Sequence, residues 1–75
     1  MPKLRVFSAH DLCNLLQEHG FVKTRQSGSH IVMRKEMNEG GRVVIVPNHK
    51  EIRRGTLKSI VEQSGLHRQL FMSES

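Results

Sequence analysis

From Ala9 to His19 the apolar positions Leu12, Leu15 and Leu16 recur at helical spacing, with His19 on the same stripe, while Asp11, Asn14, Gln17 and Glu18 fall on the other side. This pattern predicts a first helix over 9–19. Ser8, three residues ahead of Asp11, is a variant of the N-terminal capping pattern, in which hydroxyl and carboxylate satisfy free backbone donors. Gly20 supplies a left-handed C-cap, and Phe21 is placed to fold back over the last turn.

After Gly20 the period changes from helical to alternating. Residues 21–25 read as a first strand, 26–29 as a turn, and 30–35 as a second strand antiparallel to the first. The cluster Asn38, Glu39, Gly40, Gly41 reads as another turn, and 42–46 as a third strand stopped by Pro47. Beyond a polar loop, Gly55 and Thr56 open a second helix with Leu57, Ile60 and Val61 on one face, and Gly65 with Leu66 repeats the earlier cap. A short turn over 67–71 is expected to dock Leu70 or Phe71 on the core, ahead of a frayed Ser73–Ser75 tail.

The predicted class is therefore α+β, in the order α-β-β-β-α. That connectivity is shared with double-stranded-RNA-binding-like domains, whose three-stranded antiparallel sheet carries both helices on one face and leaves the other open. Alternation would then put His30, Val32 and Arg34 on the open face, and Ile31 and Met33 under the helices. A chain of 75 residues reads as a single domain over 1–75, with a core from about 8 to 71. A chain this short has little room for a deep substrate cavity.

Charge sharpens the picture. Twelve Lys and Arg against seven Asp and Glu leave a formal charge of +5, which favours a polyanionic partner. The excess is concentrated between Phe21 and Lys58. There Lys23, Arg25, Arg34, Lys35, Arg42, Lys50, Arg53, Arg54 and Lys58 face only Glu36, Glu39 and Glu51. Cys13 is the only cysteine, so no intramolecular disulfide can form; it reads as a helix packing residue rather than a nucleophile. The five histidines show no Cys/His pairing at ligand spacing, so no metal site is expected. No stretch resembles a signal peptide or a membrane span, and a cytoplasmic protein is the simplest expectation.

The candidate chemistry lies at Gly28, Ser29 and His30. Gly28 lets the chain reverse, Ser29 can bond locally, and His30 then opens the second strand. An imidazole there can accept or donate a proton near neutral pH; the plain alternative is a surface histidine in a hairpin.

Gly20 and Phe21, then Gly28, Ser29 and His30, Val44 to Pro47, Lys50 to Ile52, Gly55 to Ile60, and Ser64 to Leu66 stand in an order and spacing that resembles the HicA family of toxin–antitoxin toxins. The resemblance runs from about Ser8 to Phe71. It implies a type II toxin that is a metal-independent mRNA endoribonuclease, with no cofactor, a catalytic histidine that maps onto His30, and a HicB-like antitoxin that inhibits it. Two positions depart from the family pattern. Ile31 stands where a second histidine often follows, and Arg53 and Arg54 lie where a proline is common.

Metal-free RNA cleavage uses the substrate's own 2′-hydroxyl as nucleophile, so the protein must move protons and stabilise charge on the phosphate. His30 is the candidate general acid or base, and His49 the candidate second proton carrier or else a plain loop histidine. Arg34 and Lys50 are candidate phosphate contacts at the site. Arg53, Arg54 and Lys58 suit attraction to the RNA backbone rather than catalysis, because a guanidinium is a poor proton carrier. Ser29 either contacts phosphate or closes the turn. Two other readings stand beside this one: a noncatalytic RNA-binding module, and a chain that serves chiefly as the partner-binding half of a regulatory complex. With three aromatic residues, two of them readily placed in the core, base stacking on an aromatic platform is not expected.

Overall fold

The computed structural model describes residues 3–73. Their elements follow the order α1 (Ala9–Glu18), β1 (Val22–Ser27), β2 (His30–Met37), β3 (Gly40–Pro47), α2 (Arg54–Ser64) and a 3-10 turn at Arg68–Phe71. The strands form one antiparallel sheet in the order β1-β2-β3. Leu12 and Leu16 from α1 and Leu57, Ile60 and Val61 from α2 share one buried cluster with Ile31, Met33, Val44 and Val46. Both helices therefore cover the same face of the sheet. The predicted α-β-β-β-α order and α+β class hold.

Local chemistry explains each boundary. Ser8 Oγ accepts the Asp11 N–H at 3.0 Å, so the hydroxyl half of the expected cap is formed. At the other end of α1, Gly20 N–H bonds Gln17 O and Phe21 N–H bonds Leu16 O, with Gly20 at φ 97°. This is the paired Schellman closure, and it drives Phe21 into the core against the helix it ends. The helix buries Ala9, Leu12 and Leu16, whereas Leu15 and His19 of the expected stripe are only half-buried. At the end of α2, Gly65 is left-handed as expected, but the Leu66 N–H bonds Ser64 Oγ rather than a helix carbonyl. The same buried hydroxyl donates to Val61 O at 2.7 Å.

The strands run longer than the periodicity implied because both turns are tight. Gly28 takes φ 55° and Ser29 a negative φ, a two-residue reversal of the kind that matches strand twist. Gln26 and Ser27 consequently belong to β1. Likewise Asn38 and Glu39 alone make the second turn, and Gly40 and Gly41 pair within β3. Arg42 reaches under the sheet, where its Nη1 donates to Gln63 O at 3.3 Å and its guanidinium lies against Gly65. A cation at a helix C-terminus is favourable there, and it ties β3 to α2.

One feature had no sequence signal. Lys3–Phe7 packs beside the C-terminal segment: Leu4 bridges Met72, Arg5 N–H bonds Phe71 O, and Ser73 N–H bonds Lys3 O. Phe7 is buried and meets the Phe71 ring edge-on at 6.1 Å, with the Arg5 guanidinium 4.6 Å from the Phe7 centroid. Ser73 is thus paired rather than frayed, Phe71 docks fully and Leu70 partly, and the rest of the expected tail lies outside the described residues.

Candidate functional site

The open face follows from register. His30 is paired with Ser27 on one side and Pro47 on the other; Val32 lies between Arg25 and Ile45, and Arg34 between Val22 and Val43. Residues directly opposite share a face, so these three rows make up the uncovered surface. His30 is exposed, as expected, while Val22, Val43 and Ile45 leave an apolar centre in contact with solvent. All three phenylalanines are in the core, so none of them stands on this face.

Arg25 reaches the open face through an irregularity. Strict alternation from Val22 would turn it toward the helices. A bulge between Lys23 and Arg25 shifts the phase, leaving Thr24 as the extra residue, with its hydroxyl donating to Val32 O at 3.4 Å. Lys23 and Gln26 then share the opposite side, where Lys23 Nζ donates to Gln26 Oε1 at 3.2 Å. Arg25 becomes the diagonal neighbour of His30, about 7–8 Å away between backbones. Arg25 belongs to the basic cluster by sequence, but no residue type at 22–25 signals the bulge that brings it to this face.

The residues expected around His30 divide into two groups. Ser29 O accepts the Asn48 N–H at 2.7 Å, which extends the β2–β3 ladder past Pro47. His49 then turns back, its N–H bonding Pro47 O, while its own carbonyl accepts the Ala9 N–H at the start of α1. His30, Ser29, His49 and Lys50 accordingly gather at one end of the sheet, with Ser29, His49 and Lys50 all exposed. Arg34 shares the face but lies four residues along β2, about 13 Å from His30. Arg53 caps the start of α2 by position alone, with no side-chain bond. Arg54 borders a cavity of about 120 Å³ with Leu4 and Leu57, and Lys58 one of about 290 Å³ with Leu4, Val61 and Leu66. These two belong to the helix layer, apart from the open face.

Arg34 is also engaged. Its Nε donates to Glu36 Oε1 at 2.6 Å, and the guanidinium lies over Gly41, where a Cβ would come within 2.7 Å of Nη2. Hydrogen bonding and charge attraction raise the Arg34 pKa and hold the Glu36 carboxyl below its ordinary value. The pair therefore persists at neutral pH and is lost only as pH falls through the depressed Glu36 value. Cys13 is half-buried and burial pushes its thiol up, against the pull of Lys23, which fits a packing role.

The structure is thus a small α+β fold with a one-sided sheet and an exposed histidine beside its first strand turn. Residues 9–66 match the family described as the HicA toxin of bacterial toxin–antitoxin systems, and the chain belongs to that family. Membership carries with it an antitoxin partner. No curated protein matches the chain. Among the described residues no helix is long and apolar enough to cross a membrane.

The ion pair generates a test. Glu36→Gln should release Arg34, tightening binding to a single-stranded RNA oligonucleotide and steepening the log–log salt dependence by about one unit. Titrations at four salt concentrations measure it. An unchanged slope would show that Arg34 does not reach phosphate.

Proposed function

We propose that the chain is the toxin nuclease of its pair, an endoribonuclease that cleaves mRNA at the His30 end of the open face. The observation that carries this is the exposed His30, set by the Gly28–Ser29 turn on the uncovered face of the sheet with Arg25 beside it, in a chain that belongs to a toxin family. The 2′-hydroxyl of the substrate attacks the adjacent phosphorus, a P–O bond forms to O2′, and the bond to the 5′-oxygen breaks. One imidazole takes the 2′ proton and another group protonates the departing oxygen. His30 fills one of these roles and His49, in the exposed loop that follows Pro47 at the same end of the sheet, is the candidate for the other.

Charge on the phosphate is met by Lys50 and Arg25, with Ser29 beside them at the turn; Arg34 suits a neighbouring phosphate. Arg53, Arg54 and Lys58 extend the attraction to more distant RNA. Nothing in this scheme calls for a metal, because the nucleophile comes from the substrate. A cytoplasmic location and a single domain over 1–75 complete the reading.

His30→Ala should keep the thermal unfolding midpoint of the parent and lower the cleavage rate of a defined RNA by about 10²–10⁴-fold, the range of lost acid–base catalysis, abolishing growth toxicity with it. Undiminished cleavage by the folded variant would remove His30 from the mechanism. RNA binding without cleavage by the parent would favour the noncatalytic module instead.

Silencing by a HicB-like antitoxin fits the same face. Its basic rim would steer an acidic surface, and Val22, Val43 and Ile45 offer apolar area for a partner to cover. Hydrogen exchange on the co-expressed complex should show protection around residues 27–34 and 43–47. An inhibited complex with His30 still solvent-accessible would point to inhibition from a remote surface.

A further inference from the structure

The two edges of the sheet are finished differently. β1 carries Lys23, Arg25 and the bulge between them, all of which deter pairing with another strand. From Gly41 to Val46, β3 has no proline, lysine or bulge. Its one charged residue, Arg42, is drawn under the sheet to the end of α2. The ladder phase identifies the free groups. Because Asn48 N–H bonds Ser29 O, the even-numbered residues of β3 direct their backbone groups to β2, and Gly41, Val43 and Ile45 direct theirs outward.

We propose that this edge pairs with the same edge of a second copy of the chain, antiparallel and two-fold symmetric about Val44. Val43 of each copy then lies opposite Ile45 of the other, joining side chains that are 43% and 50% exposed into β-branched pairs on the open face. Arg42 falls opposite Val46, about 14 Å along the strand from its symmetry mate. Pairing centred on residue 42 would instead set the two arginines face to face. The same register points the β2–β3 turn, with its exposed Glu39, toward the loop after Pro47 of the other copy, which carries the exposed His49 and Lys50, an attraction that occurs twice. Self-pairing is independent of the nuclease reading and survives its failure.

We take this single-edge contact as weak, with a dissociation constant on the order of 100 µM. By mass action about four-fifths of the chains would be paired at ~1 mM, against about a quarter at ~20 µM. Sedimentation of the purified chain should therefore show concentration-dependent dimers. Amide exchange at Val43 and Ile45 should slow about fourfold between those concentrations, while Lys23 and Gln26 on the β1 edge stay constant. Ile45→Lys should abolish dimers, with thermal unfolding to check the fold. Glu39→Lys should weaken them, and Lys50→Glu added to it should restore them; both sites are exposed, so this pair decides the matter even where Ile45→Lys unfolds. A chain still monomeric at 1 mM, or association without slowing at Val43 and Ile45, overturns the proposal.

Discussion

A three-stranded sheet covered on one side can bury only every second side chain, and the rest of this molecule depends on that restriction. Ile31, Met33, Val44 and Val46 point down into the cluster made by both helices, each at 7% exposure or less. Full burial of such a side chain is worth roughly 1.5–3 kcal/mol, so a one-residue slip that exposed all four would cost more than a small domain can spare. Register is thereby pinned. His30, Val32, Arg34, Val43 and Ile45 are held on the opposite face by the same alternation, outside the buried cluster. Stability and candidate chemistry are separated by the pleat.

The separation explains how the open face can expose His30, Arg25 and the Arg34–Glu36 pair beside an apolar centre without disturbing the core. A deep pocket would subtract from a core that is barely large enough, whereas a flat surface subtracts nothing. Electrostatics there is tuned by short-range partners: Glu36 holds Arg34 along the strand, and Gly41 leaves the space that the guanidinium occupies. Arg42 is withdrawn in the other direction, to the carbonyl end of α2. Two arginines close together on adjacent strands thus have unlike roles, one on the open face and one as a clamp beneath it.

Much of this was legible in the sequence wherever a local rule acted alone. Ser8, Gly20 and Phe21 marked the ends of α1, and the alternation from His30 to Arg34 gave the correct face for each residue. Elements whose geometry depends on tertiary pairing were not legible. The bulge that turns Arg25 outward exists because β1 must meet both Met33 and Val32 while leaving Thr24 over, a condition set by its neighbour strand. The pairing of Lys3–Phe7 with the C-terminus is a contact across almost the whole chain, and no short-range pattern announces it. The ion pair at Arg34 and Glu36 was in principle readable, since residues two apart on a strand share a face. The glycines misled for a related reason: Gly40 and Gly41 look like turn residues, yet the two-residue turn at Asn38 and Glu39 leaves both of them in β3.

The chemistry proposed for the open face is proton transfer on RNA, with the substrate's own 2′-hydroxyl as nucleophile. Its most direct test is the chemistry of the cut ends. A defined RNA incubated with the purified chain in the presence of a chelator should yield upstream fragments ending in a 2′,3′-cyclic phosphate and downstream fragments with a 5′-hydroxyl, at an undiminished rate. Fragments ending in a 3′-hydroxyl and a 5′-phosphate would contradict the account, because a water or hydroxide would then have attacked in place of the ribose.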